Sequence, residues 1–172
     1  MTDRMISTTR RSLIVGAAGG LVAASAQAAP QALAMTELKK EADVACLYHC
    51  DYGNPDRFAQ TLNNISNHYS AHGADPFGLQ LVIVAHGPSV KFFLSSWEET
   101  PWKDETIDPK IFDRVTDLAK NGLKVHLCEI TFQRLKLDKN KVRDVPFVSF
   151  VPSGVATVAV LQSKGFAYLK VG

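Results

Sequence analysis

Cys128 closes the apolar run Val125-His126-Leu127 and stands where a helix would begin, ahead of Glu129-Ile130-Thr131-Phe132. A thiol at such a junction meets free backbone N–H groups and the positive end of a helix dipole. Both favour thiolate, the reactive form in sulfur chemistry. The plainer role is an inert core thiol, since free cysteine is among the most buried residue types. Glu129 disfavours a thiolate only if its carboxylate turns inward. Two further cysteines, Cys46 and Cys50, are spaced Cys-x3-Cys. On a regular strand, residues four apart share a face but lie roughly 13 Å from each other, beyond disulfide reach. Cys46 is mid-strand and reads as core. Cys50 ends its strand and is placed either to approach Cys128 as a resolving thiol or to be an ordinary buried one.

The imidazoles come next. His86 follows the most apolar run of the chain and precedes Gly87-Pro88, a position suited to orienting a ligand or donating to an anion, or simply to bonding the turn. His49 adjoins Cys50. His126 lies two residues before Cys128, one strand repeat deeper, and reads as core. His68 and His72 share a helix face at i and i+4, a metal-compatible spacing without a third ligand nearby. Ser153-Gly154, after Pro152, opens a helix. Its N–H groups suit an anion such as thiosulfate or sulfite, and its serine suits a plain N-cap.

These residues need elements to hold them. Val44 to Tyr48, Leu79 to Ala85, Val125 to Leu127, Phe147 to Val151 and Phe166 to Val171 read as strands. Pro55 to about His72 reads as a helix, with Phe58, Leu62, Ile65 and Tyr69 spaced four, three and four. A helix from Asp108-Pro109 to Asn121-Gly122 carries Ile111, Val115 and Leu118. Another runs from Ser153 to Lys164-Gly165, and Val90 to Leu94 reads as a short helical turn. Alternating strands and helices with continuous apolar strands predict an α/β fold in three layers. A mainly parallel sheet of about five strands is covered by helices on both faces. Sites in such sheets lie at the carboxyl ends of the strands. Those ends are His49-Cys50, His86-Gly87, Cys128 and Pro152-Ser153-Gly154.

Ahead of this domain, Thr9-Arg10-Arg11-Ser12 precedes the uncharged stretch 13–28, which ends in Ala26-Gln27-Ala28. A basic start, a mildly apolar middle and a small-residue end describe a bacterial export signal, and the arginine pair points to the twin-arginine route. The expected organisation is a signal over 1–28, a lead-in over 29–42 and one domain over 43–172. Cleavage would deliver the mature chain to the periplasm with no later membrane span. The chain carries 19 Lys+Arg and 17 Asp+Glu. Arg4, Arg10, Arg11 and Asp3 leave with the signal, so 16 of each sign remain. This balance argues against a nucleic-acid partner, which requires a basic field. Three cysteines are too few for a disulfide framework, although the expected compartment is oxidising.

Three stretches carry a family resemblance: Leu81-Val82-Ile83-Val84-Ala85-His86-Gly87-Pro88-Ser89-Val90, Asn121-Gly122-Leu123-Lys124-Val125-His126-Leu127-Cys128, and Val151-Pro152-Ser153-Gly154-Val155-Ala156 continuing through Leu161 to Leu169. In this order they resemble the DsrE/DsrF-like proteins of bacterial sulfur relay across roughly residues 43–171. The resemblance implies a five-stranded parallel sheet and assembly into trimers, hexamers or mixed hexamers. It also implies a persulfide-carrying cysteine after a strand, where Cys128 falls. It implies a carrier or sulfurtransferase rather than a cofactor-dependent enzyme. Export departs from the best understood relays, which work in the cytoplasm, and puts cytoplasmic donors and acceptors out of reach.

The resulting expectation is an exported sulfane-sulfur carrier in a homo-oligomer, exchanging with a sulfur donor or acceptor. Cys128, Cys50 and His86 are its candidate reactive residues, Ser153, Gly154 and Gly87 hold substrate, and no metal ligand or cofactor is assigned. One alternative is a protein binding a metal or small ligand among Cys50, Cys128, His86 and His49. Soft thiolate with imidazole suits copper or zinc, but no spacing here matches a zinc motif. Another is an assembly subunit without chemistry. Lys91 to Lys103, with Phe92, Phe93, Trp97 and Trp102, reads as a subunit contact or a flap. Lys136 to Arg143 reads as a basic, solvated loop.

Overall fold

A computed structural model describes residues 29–73 and 78–172. The expected export signal over 1–28 lies outside the described residues. Five strands, β1 (Val44–Cys50), β2 (Leu79–Ala85), β3 (Lys124–Cys128), β4 (Val148–Val151) and β5 (Ala167–Leu169), form one sheet. Its order is β4-β3-β2-β1-β5 and every neighbouring pair is parallel. The helices are α1 (Pro55–Ala71), α2 (Lys110–Ala119), α3 (Glu129–Leu135) and α4 (Gly154–Ser163). Among the described residues no helix is long and apolar enough to cross a membrane.

Strand alternation sorts the side chains between two cores. Cys46, Tyr48 and Cys50 of β1, Leu81, Ile83 and Ala85 of β2, Val125 and Leu127 of β3 and Phe150 of β4 point to one face. There they meet Phe58, Leu62 and Ile65 of α1, Ile111 and Val115 of α2 and Phe132 of α3. Ala45, Leu47, Val82, Val84 and Val151 point to the other face, against Val158 and Leu161 of α4, with Leu38 and Phe166. Each α1 anchor named above is fully buried, and truncating one such leucine costs about 2–5 kcal/mol. Asn54 starts α1 by accepting the Arg57 N–H at 2.9 Å, with Pro55 at the first helical position.

Chain direction explains the layering. From β1 to β4 the chain steps across the sheet one way, and its crossovers lie on the α1 face. After β4 it returns to the opposite edge, so right-handed connection places α4 on the other face. The chain therefore departs from the ends of β3 and β4 towards opposite faces. That divergence opens a crevice between Cys128 and Ser153-Gly154.

Three segments make contacts that the sequence did not show. The lead-in joins the sheet edge: Leu33 N–H donates to Phe150 O and Phe150 N–H to Gln31 O, both at 2.8 Å. Edge strand β4 exposes backbone groups that take a partner whatever its side-chain pattern. The aromatic-rich segment is not free for a subunit contact. Gly87–Phe93 is a 3₁₀ helix whose Phe92 stacks on Phe58 at 4.3 Å, while Phe93 and Trp102 are buried in the same core. The basic loop is engaged as well: Lys139 pairs with Glu129, and Lys141 with Glu99 at 2.8 Å.

Candidate functional site

The crevice is closed to a narrow contact by Gly154. A Cβ at that position would lie 2.9 Å from His86 Cβ, 3.0 Å from His86 Cδ2 and 3.1 Å from Cys128 Cβ. Only a residue without a side chain lets the first turn of α4 settle this close over the ends of β2 and β3. Cys128 is 5% exposed and supplies the N-cap position of α3 without a side-chain cap bond. Ser153 caps α4, its Oγ accepting the Ala156 N–H at 3.3 Å. Gly87 adopts a left-handed φ of 56° and donates its N–H to Thr131 Oγ1 at 2.9 Å, which ties the end of β2 to α3.

Beside this contact two imidazoles face each other. His49 Nε2 and His86 Nε2 are 2.7 Å apart, and His49 Nδ1 lies 2.7 Å from the Tyr168 hydroxyl. Asp51 completes a group whose ligand-capable atoms all lie within 4.8 Å of one another. Its Oδ2 accepts from Lys170 Nζ at 2.7 Å. Burial, then for His49 the neighbouring His86, pushes both imidazoles below their ordinary value. Burial works to raise the Asp51 carboxyl. The hydrogen bond and charge of Lys170 outweigh it, and the carboxyl stands below its ordinary value.

The DsrE/DsrF-like family profile matches residues 44–171, which span β1 to β5 and every residue of this site. The chain belongs to the DsrE/DsrF-like family. The family is associated generally with sulfur relay. A solved structure of a protein of unknown function, MTH1491 from Methanobacterium thermoautotrophicum, is similar in fold, with a TM-score of 0.57 and 20% identity. The similarity covers 74% of this chain and 99% of that one. No match was found among curated proteins.

For this DsrE/DsrF-like chain, the structure places the three free cysteines unequally. Cys50 does not approach Cys128, contrary to one reading of the strand ends. It belongs to the α1-face core, fully buried, with Sγ 3.4 Å from the Tyr52 hydroxyl. Register explains this: Cys50 pairs with Ala85 and Ala85 with Leu127, so Cys50 shares its face with Leu127, one residue short of Cys128. Burial pushes the Cys50 thiol up to about 12, against a lowering hydrogen bond from Tyr52. Cys46 is likewise raised by burial. Glu129 pairs with Lys139, so its charge is answered locally.

His126 is buried and bonded through Nδ1 to Ser149 Oγ at 2.8 Å, as its depth on β3 predicts. His68 Nδ1 meets the Tyr48 hydroxyl at 3.2 Å. Asp51 and Tyr168 were missed by sequence reasoning. Asp51 follows His49-Cys50 directly, so the strand-end argument had the signal for it. Tyr168 becomes a neighbour only because β5 pairs with β1, which is a matter of strand order. A pocket of about 360 Å³ opens beside His86, lined also by Gly87, Trp102, Thr131 and Arg134.

Proposed function

We propose that this protein is an exported sulfane-sulfur carrier or sulfurtransferase whose reactive group is Cys128. The observation that carries the reading is the position of Cys128. Of the three cysteines it alone ends a strand on the α4 face, at the crevice between β3 and β4, against His86 and Gly154. Family membership supports the same chemistry.

In the proposed step the Cys128 thiolate attacks the outer sulfur of a persulfide donor. The new S–S bond forms as the donor's S–S bond breaks, and the donor leaves as thiolate. Thiosulfate serves in the same way, with sulfite as leaving group. An acceptor thiolate then attacks the outer sulfur and restores Cys128. No net oxidant is consumed, as in thiol–disulfide exchange. Because Cys128 is 5% exposed, the donor is small or reaches it when the first turn of α4 opens. The pocket beside His86, with Arg134 among its lining residues, suits a small anionic sulfur compound. Ser153, Gly154 and Gly87 frame the crevice rather than contact the donor by side chain. The working unit in this reading is a periplasmic homo-oligomer, a trimer or hexamer.

The test is the intact mass of the protein after incubation with thiosulfate or polysulfide, beside Cys128→Ser. A gain of one sulfur atom, reversed by reductant and missing in the variant, supports the carrier. No adduct on reduced, folded protein refutes it. The export half is checked separately: protein isolated from the periplasm should lack residues 1–28, and full-length protein confined to the cytoplasm would refute export.

A further inference from the structure

We infer that His49, Asp51 and His86 form a binding site for one divalent first-row transition-metal ion, with zinc as the representative case. The ligand atoms would be the two Nε2 nitrogens and one Asp51 oxygen. This goes beyond the sulfur-carrier reading and does not depend on it. It also differs from the ligand set that the strand ends alone offered, because Asp51 takes the place of Cys50.

Geometry is the first argument. All three residues sit at the carboxyl end of the sheet, where β1 and β2 run side by side, and their ligand-capable atoms lie within 4.8 Å of one another. The two Nε2 atoms are aimed at each other across 2.7 Å. Nitrogens about 2.1 Å from one ion stand roughly 3.0–3.4 Å apart at ordinary coordination angles. An ion entering between them therefore spreads the pair by well under about 1 Å. Without an ion, the same contact needs one imidazole to donate its proton to the other.

The surroundings supply the second argument. A metal-bound imidazole usually donates its remaining N–H to an oxygen, which fixes the tautomer and the ring orientation. Tyr168 places its hydroxyl oxygen 2.7 Å from His49 Nδ1 and so takes that role. Lys170 holds one oxygen of Asp51 at 2.7 Å, which orients the carboxylate and leaves the other oxygen for an ion.

Two imidazoles and one carboxylate form a donor set for zinc or ferrous iron with positions left open to exogenous ligands. Cys128 is not among the three ligands. Its Cβ and that of His86 flank the same point at Gly154, so the thiol belongs to a neighbouring strand end. The ligand class such a site takes is a small sulfur or oxygen anion.

The experiment is Zn²⁺ titration by calorimetry and Co²⁺ titration by visible absorption on the metal-free protein. The same titrations follow on His49→Gln, His86→Gln, Asp51→Asn, Tyr168→Phe and Cys128→Ser. One ion per chain is expected, with affinity lowered more than about 10-fold in each ligand variant and about 10-fold in Tyr168→Phe. Cys128→Ser should retain affinity, which separates this site from the sulfur-carrying role. Imidazole nitrogen resonances of the wild-type protein give a readout that needs no variant. Zn²⁺ should move those of His49 and His86 and leave those of His68, His72 and His126 in place. No binding by the wild-type protein, unchanged affinity in folded Asp51→Asn, or shifts at His68 and His72 instead would overturn the site.

Discussion

His86 and Cys128 place their Cβ atoms on either side of one point, the position that a Cβ on Gly154 would occupy, at 2.9 and 3.1 Å. The two Cβ atoms are therefore within about 6 Å of each other, although 42 positions separate the residues in the sequence. What joins them is the parallel pairing of β2 with β3, in which Ala85 stands opposite Leu127 and the next residue of each strand follows at its end; the first turn of α4 then closes over both.

Gly154→Ala tests this contact. Distances near 3 Å are too short for carbon–carbon packing, so the new methyl must push α4, His86 or Cys128 aside. Overpacking of this kind costs about 1–3 kcal/mol, opposing the stabilisation that alanine normally brings to a helix. The expected result is a folded protein with a lower urea midpoint and sulfur uptake at Cys128 slowed by about 10-fold or more, since small misplacements at a reacting centre are costly. A midpoint at or above that of the wild-type protein would mean that α4 does not seat where described.

The cysteines should differ in reactivity despite similar burial. Cys50, pushed up to about 12 by burial, is thiolate in only about one molecule in 10⁴ at pH 8 even before access is considered. Cys46 sits mid-strand between β5 and β2, so exposing it requires parting the sheet. Cys128 stands at a strand end, where local opening costs less than unfolding the core. Native-state alkylation followed by peptide mapping should label Cys128 first and Cys46 and Cys50 only on unfolding. Labelling of Cys50 at a rate equal to that of Cys128 contradicts the placement of Cys50 in the α1-face core.

Much of the fold was legible because its signals are local. The run Leu79 to Ala85 is apolar at every position but Gln80 and is a central strand buried on both faces. Asn54-Pro55 and Ser153-Gly154 start helices as their cap chemistry requires. The site was half legible. His49, His86, Cys128 and Gly154 were placed at strand ends by alternation alone, but which ends touch depends on strand order. Hence Cys50, adjacent in sequence to His49, proved to point the other way, and Tyr168 entered from an edge strand. The aromatic segment misled for a related reason. Phe92 and Phe93 look like a sticky surface in sequence because the 3₁₀ turn that buries both has too few residues to show periodicity.

That segment yields a prediction of its own. Phe92 is 2% exposed and stacked on Phe58, so Phe92→Ala opens a cavity in the single chain. The expected loss is about 3–5 kcal/mol, and it should be the same at low and high protein concentration. If the loss appeared only at concentrations where an assembly forms, the ring would belong to a subunit interface.

His126 makes the stability of the fold depend on pH in a defined window. It is 5% exposed and bonded to Ser149, and burial, followed by the charge of Lys124, lowers its pKa from 6.5 to about 4. The unfolded chain therefore takes up a proton on this imidazole before the folded chain does. Above pH 6.5 neither state is protonated and the contribution is complete. As pH falls from 6.5 towards 4 the unfolded state gains protons and stability drops, by about 3 kcal/mol if the full shift is realised. Below about pH 4 both states are protonated and the effect levels off. Urea midpoints at pH 7 and pH 4.5 for the wild-type protein and His126→Gln read this directly. The variant, having no imidazole there to protonate, should lose the hydrogen-bond geometry at pH 7 and so be less stable, yet decline less between the two pH values. An equal decline in both proteins would place the acid sensitivity elsewhere and leave His126 with no part in it.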